Sequence, residues 1–195
     1  PADGLASGAE QGRPWHHAAL RADDGSVVLP FGAMAPQRLA EWERQMAAQP
    51  LWLRERLAEL DTPADGWTLI DTPHGAGPLT LQALAAADAV LLVLRADRPA
   101  LALLERALAL AAGKPLAAVI NALDMSRGLQ ADVAAALRER LGGQLSPYPV
   151  HDDEAVPEAL ALPVVPEVTV AESANVSLPS AAKSLLVATR ICTLV

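Results

Sequence analysis

Trp67-Thr68-Leu69-Ile70-Asp71-Thr72-Pro73-His74-Gly75-Ala76-Gly77 decides the fold. An apolar run that delivers one carboxylate and then breaks on Pro and Gly reads as a buried parallel strand opening into a loop. Open α/β sheets bind their ligands at that carboxyl end. The residues after it keep the same grammar. A helix is expected from Leu79 to Ala87, then a strand over Ala89-Val90-Leu91-Leu92-Val93-Leu94, whose continuous apolar run fits a strand covered on both faces. Arg98-Pro99 opens a helix through Leu101, Leu104, Leu108 and Ala111 that Gly113 closes, and Leu116-Ala117-Ala118-Val119-Ile120-Asn121 is the next strand. The helix Leu129 to Leu141 ends at Gly142-Gly143 and leads to a short strand around Leu145 to Val150. Alternation of this kind with short connections predicts an α/β fold with a doubly wound, mostly parallel sheet.

Upstream, residues 1 to 14 carry no periodicity and read as loop or disorder, and Ser26 to Gly32 reads as a short strand. Pro36 suits a first helical position. Leu39, Trp42, Met46, Leu53, Leu57 and Leu60 follow at helical spacing, with Pro50 ending one helix and starting another. Trp42 and Trp52 read as packing residues. His16 and His17 lack a third and fourth ligand at metal spacing and read as surface histidines. Downstream, a short helix is expected from Glu154 to Leu160, an extended segment from Leu162 to Val170, and a closing helix from about Ser180 to Leu194, capped by Ser180.

Composition bounds the function. The 195 residues are 52% hydrophobic but only 3% aromatic, so Leu, Val and Ala must fill the core. A net charge of -8 with scattered Lys and Arg argues against a general nucleic-acid surface, because phosphate binding needs clustered cations. The single cysteine, Cys192, excludes an internal disulfide and any multi-thiolate zinc site. No signal peptide is visible, and no apolar run reaches the ~20 residues that span a bilayer. A chain that opens at Pro1 reads as a fragment.

Three polar positions fall at the ends of three expected strands: Asp71, Asn121, and the group His151, Asp152 and Asp153. Parallel strands end at one edge, so these positions can converge on one crevice. A hard carboxylate oxygen after a hydrophobic strand suits Mg²⁺, directly or through water, and equally suits a turn cap. Asn121 offers a donor and an acceptor, matching a purine edge or the backbone of its own turn. His74 lies in the loop beside Asp71. No G-x-S-x-G elbow occurs, and no G-x-x-x-x-G-K-[ST] phosphate loop occurs in these residues.

Leu69-Ile70-Asp71-Thr72-Pro73 resembles the Walker B and switch II segment of the MinD/ParA deviant P-loop ATPases, and Ile120-Asn121 resembles the strand that ends in their base-contacting Asn. More narrowly, Leu29-Pro30-Phe31-Gly32, Val119-Ile120-Asn121 with Leu129-Gln130-Ala131-Asp132-Val133, and Val150-His151-Asp152-Asp153-Glu154-Ala155 with Glu158-Ala159-Leu160 resemble the BcsQ (YhjQ) family of cellulose-biosynthesis proteins. The likeness runs over about residues 15 to 195, expected as a single MinD/ParA-like α/β domain lacking its first βα units, with a loop or disordered stretch, 1 to 14, before it. It implies a P-loop NTPase-like fold truncated at its N-terminus, with the Walker A strand, loop and helix and the next strand before residue 15.

The resemblance further implies ATP and Mg²⁺ as ligands. It assigns Asp71, with Thr72 and Pro73, to the Mg²⁺ shell through water, Asn121 to adenine, and Pro149, Val150, His151 and Asp152 of the Tyr148 to Asp153 loop to the base or ribose. It implies an ATP-dependent homodimer, other subunits of the cellulose operon as partners, no nucleic acid, and a cytoplasmic position peripheral to the inner membrane. Without a Walker A loop, no tight Mg-ATP binding and no hydrolysis are expected of this chain. A non-catalytic α/β scaffold that has lost nucleotide binding, and a small-molecule enzyme using the Asp71/His74 edge, are the alternatives.

Overall fold

The computed structural model describes residues 4–21, 26–60, 66–155, 158 and 184–191. The chain opens with a short helix, α1 (Leu5–Glu10), within the stretch 1 to 14 where the sequence suggested only loop, and a 3₁₀ turn follows over Trp15–Ala18. Six residues are too few to hold a helix by propensity, so α1 depends on a distant segment. Its first amides donate to that segment, Leu5 N–H to Pro30 O at 2.9 Å and Ala6 N–H to Phe31 O at 3.0 Å. A Cβ on Gly4 would lie 2.4 Å from the Gly32 nitrogen, so the two backbones can cross only at a glycine.

The strand expected from Ser26 to Gly32 shrinks to β2 (Val27–Val28), paired antiparallel with β1 (Leu20–Arg21). Two helices follow on either side of Pro50, α2 (Pro36–Ala47) and α3 (Trp52–Ala58). Trp15, Trp52, Trp42 and Phe31 form an edge-to-face chain with centroids 5.4, 5.2 and 5.5 Å apart. The break at Pro50 leaves an amide of α3 without a helical partner, and the Met46 and Gln49 carbonyls, which accept from Gln49 N–H and Trp52 N–H, open to second donors. Buried Gln82 supplies them: its Nε2 donates to Met46 O at 2.8 Å and to Gln49 O, and its Oε1 accepts from Leu53 N–H at 3.0 Å.

The main sheet holds β3 (Trp67–Thr72), β4 (Ala89–Leu94), β5 (Leu116–Ile120) and β6 (Ser184–Ile191), all parallel, in the order β3-β6-β4-β5. Helices α4 (Pro78–Ala86), α5 (Arg98–Leu110) and α6 (Gly128–Leu141) connect or follow these strands close to their expected bounds. Pro stands in the first turn of α4 and α5, where its missing N–H costs nothing, and Asp97 caps α5 by accepting from Ala100 N–H at 2.9 Å. Gly113, at φ 84°, takes the left-handed turn after α5.

Strand alternation sorts the sheet into two faces. Val90, Leu92 and Leu94 with Ala118 and Ile120 meet Leu84, Leu104, Leu137 and Leu141 in the core. Leu91, Val93 and Val119 on the opposite face are half-buried, and Trp67 and Leu69 of β3 are exposed. The helical core is therefore built on one face.

Two further expectations fail. The closing helix from Ser180 to Leu194 is replaced over its middle by β6, whose backbone takes the ladder position flanked by β3 and β4. The strand expected around Leu145 to Val150 is reduced to isolated bridges, Ala118 with Leu145 and Leu123 with His151. The extended segment 162 to 170, Cys192 and most of the helix expected from Glu154 to Leu160 lie outside the described residues.

Candidate functional site

Asp71 stands one residue before the end of β3, exposed, and Thr72 closes the strand buried. The chain then turns through Pro73 to Gly77, with Gly75 at φ 87°. Thr80, fully buried in the first turn of α4, donates from Oγ1 to Pro73 O at 3.2 Å and ties this loop to the helix that follows. Thr80 was missed in the sequence, where a threonine two residues into a helix carries no special signal. Pro73 and His74 are exposed.

Asn121 follows β5 directly and is exposed, while its N–H donates to Leu94 O of β4 at 2.7 Å. Ala122 takes φ 52°, the only positive φ of a non-glycine among the described residues. That left-handed residue costs about 1 kcal/mol for an L-amino acid and bends the chain sharply. The bend buries Leu123 beneath the edge.

The Tyr148 to Asp152 segment is laced to this bend. Val150 N–H donates to Ile120 O at 2.8 Å, Leu123 N–H to Val150 O at 3.0 Å, and Asp152 N–H to Leu123 O at 3.1 Å. His151 Nδ1 lies 3.2 Å from Leu123 O, and since a carbonyl only accepts, that nitrogen carries the proton of the bond. In the neutral ring Nε2 is then an acceptor. Tyr148 and Val150 are exposed and Pro149 is half-buried.

A second turn follows Asn121 in the chain. Asp124 accepts from Ser126 N–H at 2.9 Å, Ser126 Oγ at 2.6 Å and Arg127 Nε at 2.9 Å, while its own N–H donates to Gln130 Oε1 at 2.8 Å. The Ser126 hydrogen bonds, with a smaller contribution from Arg127, hold the Asp124 carboxyl below its ordinary pKa.

Asn121 and the 148–152 segment thus form one unit, whereas Asp71 stands apart from it. Register through β6 puts Asp71 level with Leu91 of β4, while Asn121 lies one residue past Ile120, which pairs with Leu94. Strand geometry makes that separation about 13 Å along the strands and about 14 Å across them. The two candidates share the carboxyl edge of one parallel sheet.

The donor chemistry fits two parts of a Mg-nucleotide: an exposed carboxylate for a hydrated cation and an amide for a base. Among the described residues no three His, Cys, Asp or Glu side chains gather to hold a metal. For the phosphates these residues provide no glycine-rich lysine loop.

Comparison with known proteins gives the family context. The family model for "Cellulose biosynthesis protein BcsQ" matches residues 1–187. The protein of that name from Salmonella typhi is 32% identical over 158 residues, covering 77% of this chain and 58% of the relative, and the Salmonella typhimurium protein matches to the same extent. The chain thus spans less than two thirds of the length of these curated relatives. Among solved structures, cobyrinic acid a,c-diamide synthase from Mycobacterium smegmatis with a bound ATP analog and magnesium superposes with a TM-score of 0.57 at 20% identity, over 77% of this chain and 65% of that one. Its complex with ADP and magnesium gives 0.56. This likeness shows a P-loop ATPase-like α/β fold. No helix among the described residues is long and apolar enough to cross a membrane.

Proposed function

The chain belongs to the cellulose biosynthesis protein BcsQ family, and from that membership we propose that it forms the switch and base-binding part of a MinD/ParA-class nucleotide-binding component of the bacterial cellulose synthesis and secretion machinery. It works by ATP-controlled pairing of two copies and docking to other subunits of that machinery, at the cytoplasmic face of the inner membrane. The observation that carries this reading is the shared edge: Asp71 after one parallel strand, and Asn121 with the 148–152 segment after another.

In this reading Asp71, with Thr72 and Pro73 beside it, holds a hydrated Mg²⁺. Asn121 meets adenine with its amide, and Pro149, Val150, His151 and Asp152 border the base or ribose. Mg²⁺, when bound, neutralises phosphate charge. The chain's own residues bind and orient: Thr80 holds the loop after Asp71, and Ala122 and Asp124 hold the turn after Asn121. The similarly folded synthase with a bound ATP analog and magnesium supports the choice of ligand.

The test is light scattering of a form as long as the curated relatives, with and without Mg-ATP. Asp71→Ala is expected to abolish nucleotide-dependent dimerisation, and an unchanged dimer removes Asp71 from the site. The scaffold reading draws on one feature, the lack of a glycine-rich lysine loop in these 195 residues. Accordingly this chain by itself is expected to show no tight Mg-ATP binding by calorimetry; micromolar affinity would count against that expectation.

A further inference from the structure

β3 and β4 are consecutive in the chain, joined by α4, yet they are not neighbours in the sheet. One strand position lies between them, and the last described segment of the chain fills it. β6 pairs along the full length of both, with Trp67 to Thr72 in register with Ser184 to Thr189 and Ala89 to Leu94 in register with Leu186 to Ile191. β4 and β5 pair directly. The strand ladder therefore has two parts, β3 on one side and β4-β5 on the other, and β6 is the strand that joins them.

A β3 without β6 would lack the hydrogen-bonded neighbour that its amides and carbonyls have in this sheet. Besides β6, α4 spans the gap by side-chain packing, through Ala83 and Ala87 against Ile70 on one side and Leu84 within the main core on the other. Such packing is roughly proportional to area and non-directional, so it holds the halves close without fixing a register. The ladder fixes register, and register sets Asp71 relative to Asn121.

We infer that Ser184–Ile191 is the element that assembles the candidate edge: Asp71 and Asn121 belong to separate sheet halves until this strand docks between them. The edge is consequently formed by the last of the described segments, not by the contiguous block 66–155 that contains its polar residues. Any ligand that bridges both halves is linked to the docking of β6. Tightening of one tightens the other, by the reciprocity of coupled equilibria. This inference stands on strand order and register and does not require the ligand to be a nucleotide.

Two measurements on the whole chain, without nucleotide, test it. In a Cys192→Ser background, the in-register pair Leu91→Cys with Ala188→Cys is expected to form a disulfide within one chain, and the out-of-register pair Trp67→Cys with Ala188→Cys to form none. A missing cross-link, one found only between chains, or equal yields from both pairs overturns the inference. Hydrogen exchange supplies the second measurement. Leu186→Pro removes a ladder donor from β6 and is expected to abolish protection of Leu69 to Thr72 while Leu137 and Ile120 keep theirs. Retained protection in β3 overturns the inference. Should Leu186→Pro fail to fold, the cysteine pairs decide. Because no nucleotide is present, these results and the fate of the nucleotide reading are separable.

Discussion

Gln82 Nε2 donates to the Met46 carbonyl at 2.8 Å, so a glutamine in the middle of α4 finishes the end of α2, a helix that lies 36 residues earlier. The same amide reaches Gln49 O, and its oxygen takes the Leu53 amide of α3. Replacing it with leucine keeps the volume, strands the Leu53 amide and leaves Met46 O and Gln49 O with one backbone donor each, Gln49 N–H and Trp52 N–H. Gln82→Leu is expected to lower stability by about 2 kcal/mol, the cost of one amide left without a partner and of a second hydrogen bond lost at each carbonyl. Urea unfolding measures this, and a loss indistinguishable from zero would mean that water replaces the side chain.

Thr80 is the other buried polar residue of α4 with a visible task. Its hydroxyl holds Pro73 O, and Thr80→Val removes that bond at nearly constant shape. A cost of about 1 kcal/mol is expected. The sharper readout is local: amide exchange at His74 to Gly77 should speed up relative to β4, and unchanged exchange there would show that the loop is held by other contacts.

At Ala122 the expected sign is opposite to the usual one. Alanine to glycine normally destabilises, but the left-handed φ of 52° penalises any Cβ. Ala122→Gly is expected to leave the melting temperature unchanged or raise it by about 2–4 °C, the shift for about 1 kcal/mol in a chain of this size. Ala122→Val should lower it, since a β-branched residue tolerates this region poorly. Differential scanning calorimetry of the two variants settles the sign.

Asp124 gives the turn after Asn121 a pH dependence. Its pKa is depressed chiefly by the Ser126 hydrogen bonds, so the folded turn favours the carboxylate. The associated stabilisation is fully present above the ordinary aspartate pKa and is lost as pH falls through the depressed one. The Ser126 amide resonance should move over that acidic window and stay fixed near neutrality. Asp124→Asn should remove the transition, and a Ser126 shift that persists in that variant would assign it to another acid.

Much of the fold is legible in the residues. β4 and the helix α5 follow from an unbroken apolar run and from Arg98-Pro99 with Gly113, because each signal is local. The error at the C-terminus has a physical origin. Leu185, Leu186, Ile191 and Leu194 satisfy a helical stripe, and a chain read in order contains nothing that announces an open position between β3 and β4. Likewise α1 rests on carbonyls of Pro30 and Phe31, a contact with no counterpart in its own sequence.

For the site, strand ends are readable and distances are not. Asp71 and Asn121 were expected at one edge, and they lie there, but the offset between them depends on β6. The bond between His151 and Leu123, and the roles of Thr80 and Gln82, join residues too far apart in sequence for spacing to reveal. A glutamine and a threonine amid Leu and Ala of α4 were the available hints.

The edge-to-face chain of Trp15, Trp52 and Trp42 also determines what the protein looks like to light. Three of its four tryptophans lie in edge-to-face contact in the layer before residue 60, and the fourth, Trp67, stands exposed on β3. Near-ultraviolet dichroism will therefore report on the N-terminal layer and leave β4, β5 and β6 dark. A melt followed by tryptophan alone would record the loss of that layer, and a second probe on the sheet is needed to see whether the two parts unfold together.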